Sequence, residues 1–393
     1  MSQDSAVIVA ARRTPIGAFQ GSLGPVSAPE LSAAATRACV NDSGIEPGDI
    51  DELLIGCVLP AGIGQAPARQ AALAAKLPIS ISCVTINKVC GSGMKATMLG
   101  NDLIRAGSAS VVVTGGMESM SNAPYLLPKA RAGYRMGHQE VIDHMFFDGL
   151  QNPYAGHMMG YFAEQTARAY AFDRELQDEF AVQSVQKAIA ANENGAFKDE
   201  LVPVVVKNRK GETTVHRDEE PFRADIDRIP LLRPAFVADG TVTAASSSSI
   251  ADGAASLILM AESEADRRGM EPLARIAGHA EHAHEPEWFT TAPVSAIRTL
   301  QEKLGWTPEN VDQYEINEAF ACVTMAAMRD LELDPEKVNI NGGACALGHP
   351  IGASGARIIT TLIYAMRNNG GKRGIASLCI GGGEAVAIAL AID

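Results

Sequence analysis

The stretch Gly44–Gly56 (GIEPGDIDELLIG) returns in the second half of the chain as Gly305–Asn317 (GWTPENVDQYEIN). Helix end, proline, short turn and strand recur in register. Holding that spacing places Gly91 on Gly352, so the stretch Asn87–Ala96 (NKVCGSGMKA) faces Gly348–Gly352 (GHPIG). The apolar strand before Gly115 matches Ile375–Ile380 after a short insertion near 368–372, and Ile250–Ala255 (IADGAA) matches Ile380–Ala385 (IGGGEA). Each copy then leads into a last apolar strand, Ser256–Met260 and Val386–Ala391. A match across several elements signals duplication. The fold predicted is two copies of one α/β unit, the first interrupted by an insertion. The implied divisions are 1–116 plus 250–270 for the N-terminal half, 117–249 for the insertion and 271–393 for the C-terminal half.

Within the first copy, strand patterns (Ala6–Ala11, Leu53–Val58, Ala109–Thr114) alternate with helix patterns (Ser27–Asp42, Ala68–Lys76), and Pro67 suits the first turn of the second helix. Such alternation predicts a mostly parallel sheet covered by helices on both faces. The chain of 393 residues is 47% hydrophobic but only 5% aromatic, so its core is built from Ala, Val, Ile and Leu. Small residues of that kind suit helices packed closely on a buried sheet.

The net charge of −13 argues against nucleic acid or an anionic membrane as a partner. No apolar run approaches the ~20 residues of a membrane span, and the amino terminus lacks a signal-peptide pattern. Seven cysteines (Cys39, Cys57, Cys83, Cys90, Cys322, Cys345 and Cys379) are odd in number and lack paired spacing, which argues against a disulfide framework. The composition reads as soluble, reduced and cytoplasmic.

The insertion carries an amphipathic helix pattern (Asp173–Asn192) and basic runs: Lys129, Arg131 and Arg135; Lys207, Arg209 and Lys210; then Arg217, Arg223, Arg228 and Arg233. Most of these are expected to be solvated. One or two facing the site would meet phosphate, and the loop near Lys129–Arg135 would serve subunit contact. The Ser-rich run Ala244–Ser249 closes the insertion and suits either a linker or the close approach of a ligand.

Cys90 falls where the apolar run Ile81–Ile86 gives way to a helix pattern (Met94, Met98, Leu103). A helix N-terminus favours thiolate, which predicts a pKa below the ordinary value of about 8.5. Gly91 and Gly93 clear side chains from the sulfur. Three readings fit the local motif: a nucleophile, a small buried residue, and a dinucleotide fingerprint, since Gly91-x-Gly93-x-x-Ala96 is followed by Glu118.

His349, opposite Cys90 by duplication, is a candidate base. Cys379 precedes Gly381, Gly382 and Gly383, whose N–H groups suit an oxyanion hole. Asn317, where a strand runs into a helix, suits holding a water or polarising a carbonyl; the alternative is a buried capping amide. Two cysteines and a histidine at strand ends point to acyl transfer through a thioester. Zinc competes for the same residue types, but none has short ligand spacing. His279, His282 and His284 form H-x-x-H-x-H, and an exposed loop is the favoured reading there.

The motifs Asn87–Ala96, Gly115–Tyr125 (GGMESMSNAPY), Asn317–Ala321 (NEAFA), Asn341–Arg357 (NGGACALGHPIGASGAR) and Cys379–Gly383 (CIGGG) resemble those of the thiolase family, most of all its biosynthetic branch. The resemblance covers nearly the whole chain. It implies a duplicated αβαβα-layered fold with an inserted loop domain, and a homotetramer. It further implies Claisen condensation of two acetyl-CoA to acetoacetyl-CoA and CoA, with the reverse thiolysis. The course would be ping-pong through an S-acyl-Cys90, with no metal or redox cofactor and coenzyme A as substrate and product.

By the same resemblance Cys90 is the nucleophile, His349 its base and Cys379 the acid/base for the α-proton. His349 and a water on Asn317 would form one oxyanion hole, and the N–H groups of Cys90 and Gly381 the other. Leu150, Ala244 and Ser248 would line the pantetheine, Arg223 would approach the nucleotide, and Phe236, Ala319 and Phe320 would line the acyl pocket.

The chain also departs from the pattern. Met158-Met159-Gly160 stands where the biosynthetic branch has His-Met-Gly, with His157 one position earlier. Met there is a feature of the fatty-acid-degrading branch, which makes a 3-ketoacyl-CoA thiolase of longer chains the alternative. Asp218–Pro234 is shorter than usual, and Glu384 adds an unaccounted acid beside the glycines.

Overall fold

The computed structural model describes residues 4–208 and 211–392; Arg209 and Lys210 of the basic run lie outside them. The first copy contributes β1 (Ala6–Arg13), β2 (Gly17–Ala18), α1 (Ala28–Ser43), β3 (Glu52–Gly56), α2 (Pro67–Ala74), β4 (Ser82–Ile86), α3 (Ser92–Arg105) and β5 (Val111–Ser119). Two small hairpins follow, β6 (Tyr125–Leu126) with β7 (Ile142–Asp143) and β8 (Val204–Asn208) with β9 (Gly211–Val215). Between these hairpins lie α4 (Met159–Ala169) and α5 (Arg174–Asn194).

The chain re-enters the sheet as β10 (Ala251–Ala261), then α6 (Glu262–Arg268) and β11 (Ala274–Ala283). The second copy continues as α7 (Ala292–Leu304), β12 (Gln313–Ile316), α8 (Ala321–Asp330), α9 (Ala344–Leu347), α10 (Ser354–Asn369), β13 (Arg373–Ile380) and β14 (Glu384–Ala391).

Ten strands form one sheet in the order β12-β13-β14-β11-β1-β10-β5-β3-β4, with β2 on β10. The order reads as a mirror about the β11–β1 seam: β11 answers β1, β14 answers β10, β13 answers β5 and β12 answers β3. This is the spatial form of the sequence repeat. Strand direction departs from expectation. Only β3–β4, β3–β5 and β12–β13 are parallel; the other pairs are antiparallel. The reason is local. In the second copy β13 turns directly into β14 through Gly381–Gly383, and a hairpin return is antiparallel by geometry. In the first copy the whole insertion occupies the equivalent turn.

Both faces of the central strands are covered, so β5, β10, β13 and β14 are buried almost throughout, whereas β4 and the end of β11 are partly exposed. Val111 and Val113 pack with Leu31, Ala68 and Ala71 of α1 and α2, whereas Val112 faces inward with Met94 and Met98 of α3. Leu378 and Ile388 from the other half meet Ile358 and Leu362 of α10 in that same inner layer. Ile297 and Leu300 of α7 and Ala327 of α8 close the far side over Tyr314, Ile316 and Ile375. The layers therefore run α, β, α, β, α, with α3 and α10 in the middle. Each fully buried Leu, Ile or Val adds roughly 1.5–3 kcal/mol of transfer free energy.

The insertion is tied to the first strand by a buried guanidinium. Arg13 pairs with Glu200 and with both oxygens of Asp218, at 2.7 and 3.0 Å. Removing the guanidinium would strand two buried carboxylates, which is strongly destabilising. Helix α5 follows the expected amphipathic segment, and the Asp173 carboxylate caps it by accepting from Leu176 N–H at 2.9 Å. Among the described residues no helix is long and apolar enough to cross a membrane.

Candidate active site

Cys90 sits in a tight turn between β4 and α3. Val89, a β-branched residue, holds φ at +46°. That left-handed conformation costs such a side chain roughly 1–3 kcal/mol, and it persists only where neighbours fix it. They do. Asn87 Oδ1 accepts from Val89 N–H at 2.9 Å, and Ser92 Oγ accepts from Lys88 N–H at 2.8 Å while donating to Val89 C=O at 2.6 Å.

The electrostatics reverse the expectation of a low-pKa thiol. Burial pushes the Cys90 thiol up to about 11, with the Glu118 carboxylate adding to the rise. Hydrogen bonds from the N–H groups of Gly381 and of Cys90 itself pull it down, but less. Desolvation outweighs the local dipoles. Cys90 is therefore a thiol at rest, and it needs a base.

His349, which lines the same cavity as Cys90, is the candidate. Its Nδ1 lies 2.5 Å from Ser354 Oγ, and that hydroxyl donates to Pro350 C=O at 3.0 Å. A hydroxyl has one proton, so Ser354 must accept from Nδ1–H, which leaves Nε2 as the bare acceptor. Nε2 is buried with no partner among the described residues. Burial, and after it the charge of Arg357, lowers the imidazole pKa to about 3. The ring is thus neutral, in the tautomer a general base requires.

Cys379 is the last residue but one of β13 and is fully buried. Burial holds its thiol well above the ordinary range, and the neighbouring Cys90 and Cys322 add to the rise. The turn beyond it has φ of +99° at Gly382 and +90° at Gly383, conformations that favour glycine. That turn frees Gly381 N–H to approach the sulfur of Cys90.

Asn317 follows β12, buried, with Oδ1 accepting from Arg357 Nη2 at 3.4 Å. A guanidinium only donates, so the amide is oriented with Nδ2 away from it. Nδ2 is buried and unpartnered among the described residues. A site for a held water is present in its chemistry.

Cys90, His349, Cys379 and Gly381 line one cavity of about 210 Å³, together with Leu150, Met158, Met159, Phe236, Ser248, Ala319 and Phe320. Three residues singled out in the sequence stand apart from that lining. Asn317 is buried and is not part of the lining. Ala244 is exposed at the surface. Arg223 is exposed and pairs with Glu219 at 3.4 Å. Sequence motifs give the register of such loop residues but not the direction of their side chains. His157 is also outside: it is exposed and stacks on Tyr161, with ring centroids 4.0 Å apart.

Several lining residues escaped the sequence reading, among them Met120, Phe146, Phe289 and Ile351. Arg357 and Ser354 escaped too. The signal for those two was present, since both follow His349 within the run that opens α10.

The competing readings lose their residues. Glu118 is buried and accepts from the N–H groups of Val58, Leu59 and Gly352 at 3.0, 3.1 and 2.9 Å, so no exposed carboxylate awaits a ribose. The expected exposed loop is instead strand β11 and its end, where His279, His282 and His284 are half-buried; His279 bonds Asp102 and His284 bonds Trp288 C=O, while His282 and His284 meet edge to face at 5.1 Å. Glu384 pairs with Lys88, two residues before Cys90.

The thiolase N-terminal domain family model matches residues 6–263, and the thiolase C-terminal domain model matches 270–392. An acetyl-CoA acetyltransferase of Pseudomonas aeruginosa is 49% identical over 98% of this chain and 99% of its own length. One of Schizosaccharomyces pombe is 46% identical over 98% of each. Among solved structures, the acetyl-CoA acetyltransferase of Bacillus anthracis superposes with a TM-score of 0.97 at 42% identity, covering 99% of both chains. A thiolase of Ascaris suum in complex with coenzyme A does so with a TM-score of 0.93 at 41% identity, covering 98% of this chain and 99% of that one. With both halves of the duplicated sheet matched end to end, this chain belongs to the thiolase family.

Proposed function

We propose that the protein condenses two acetyl-CoA to acetoacetyl-CoA and CoA, and catalyses the reverse thiolysis, by a ping-pong course through an S-acyl-Cys90. The observation that carries this reading is the convergence of Cys90, His349, Cys379 and Gly381 on one cavity. His349 Nε2 takes the Cys90 proton as sulfur attacks the thioester carbonyl. The N–H groups of Cys90 and Gly381 receive the developing oxyanion. CoA leaves as its thiol, taking the proton back from His349.

In the second half-reaction the Cys379 thiol passes its proton to His349 and, as thiolate, removes the α-proton of the incoming acetyl-CoA. The enolate oxygen is held by His349 and a water on Asn317. The carbanion attacks the acyl carbonyl, Cys90 leaves as thiolate and takes the proton from His349, and Cys379 keeps the α-proton as its thiol. Enolate charge held by fixed donors needs no metal or redox cofactor. Of the proposed CoA contacts, Leu150 and Ser248 line the cavity, whereas Ala244 and Arg223 would act at its outer end.

A homotetramer in the cytoplasm is part of this reading. It is supported by the unpaired outer edge of β4 with Ile79 and Val84 exposed beside it, and by exposed Tyr125 and Met136 flanking the basic loop. The test is acetyl-CoA formation from acetoacetyl-CoA and CoA by the purified protein. Two acetyl-CoA per CoA consumed is expected, and no turnover overturns the proposal.

A second reading, a 3-ketoacyl-CoA thiolase of longer chains, is favoured by Met158 and Met159 in the cavity wall, since thioethers repack readily around a longer tail. A higher kcat/KM for a long-chain 3-ketoacyl-CoA than for acetoacetyl-CoA would decide for it.

A further inference from the structure

Cys90 and Gly381 belong to different halves of the molecule, and the Gly381 N–H bond to the Cys90 sulfur is one link between their loops. A second link is ionic. We infer that Lys88 and Glu384 form a clamp that holds the strained Cys90 turn in register with the Cys379–Gly383 turn, and so sets the geometry of the oxyanion hole shared between them. The inference rests on the acyl-transfer reading and adds to it two positioning residues.

Four observations carry it. Lys88 immediately precedes Val89, whose φ of +46° is unfavourable for a β-branched residue. Lys88 Nζ pairs with Glu384, the first residue of β14 after the glycine turn, and lies 3.6 Å from Glu281 on β11. Glu281 is held in turn by Lys95 of α3. Ala283 stands opposite Glu384 in the β11–β14 ladder, and Glu281 lies two residues from Ala283, so both carboxylates rise from one face of neighbouring strands. Two such carboxylates repel one another unless cations lie between them. The lysines come only from the segment around Cys90 and the acids only from the sheet beneath Cys379. The cluster therefore draws the two turns together.

The groups are only partly exposed: side-chain exposure is 19% for Lys88 and 37% for Glu384. A pair so placed is weakened by salt but not abolished. Its effect is on alignment, since neither side chain lines the cavity. Misplacing a catalytic donor by about 1 Å costs on the order of a hundredfold.

The test uses the full-length protein with acetoacetyl-CoA and CoA. Lys88→Met and Glu384→Gln are each expected to lower kcat by about ten- to a hundredfold with KM little changed. The double variant should be no worse than either single one, and Lys88→Arg should recover most of the rate. In the wild type kcat should fall as KCl is raised, and in the double variant it should not. Wild-type kcat in both single variants would overturn the clamp and leave the acyl-transfer reading intact. So would losses that multiply in the double variant, or a salt response that survives in it. A wild-type protein that turns over no acetoacetyl-CoA would instead overturn the acyl-transfer reading, and the clamp with it.

Discussion

The ends of β5 and β13 occupy equivalent places in the two halves and do opposite work. Ala255 pairs with Gly116, and its counterpart Ala385 pairs with Cys379, so Gly116 and Cys379 are equivalent. Two residues on, Glu118 answers Gly381. In the first half a Cβ at position 116 would lie 2.1 Å from Gly352 C=O, so that strand end must be bare for the His349 loop to pack on it. The carboxylate of Glu118 then anchors the same loop through Gly352 N–H. In the second half the equivalent places carry a sulfur that lines the cavity and an N–H that reaches the sulfur of Cys90. One copy is the foundation and the other the working face.

Making the second half copy the first gives the largest effect. Cys379→Gly is expected to lower condensation by about 10²–10⁴-fold, the usual worth of a positioned acid/base. Acylation by acetyl-CoA should persist. Burst kinetics measure the two steps separately, and a variant that condenses normally would show that the α-proton goes elsewhere.

Adding bulk to the foundation comes next. Gly116→Ala collides with backbone that cannot rotate away, so the His349 loop must shift; kcat should drop by roughly a hundredfold, with about 1–3 kcal/mol of stability lost. Denaturant unfolding and steady-state kinetics check both, and unchanged values would mean that the close packing is inessential.

The smallest effect is a pH dependence. Burial raises the Glu118 carboxyl from 4.5 to about 7. Its folded-state pKa is above its unfolded one, so its contribution is complete below about pH 4.5 and is lost as pH rises through 7. The stability advantage of wild type over Glu118→Gln should shrink across that window by roughly 1–3 kcal/mol. A constant difference would show that Glu118 is ionised throughout.

The duplication was legible because Gly44–Gly56 and Gly305–Asn317 share turn chemistry as well as hydrophobicity. The residues at strand ends followed from it, and the structure places Cys90, His349, Cys379 and Gly381 on one cavity. Three things were not legible. Strand direction was misjudged, because alternation of strands and helices does not reveal that each half closes with an antiparallel return. The Cys90 thiol was expected low, because helix position can be read from sequence and depth of burial cannot. The cavity wall from the insertion was read only in part, since Phe146 arrives on a short π-helical turn, Met145–Leu150, too brief to show a period.

The central claim is that Cys90 carries the acyl group, deprotonated by a neutral His349. Incubation with isotopically labelled acetyl-CoA, followed by acid quench and peptide mass spectrometry, tests it most directly. The account predicts one thioester-linked acetyl group on the Cys90 peptide, retained in Cys379→Gly and absent in Cys90→Ala. Label on another residue, or undiminished labelling of Cys90→Ala, would contradict it.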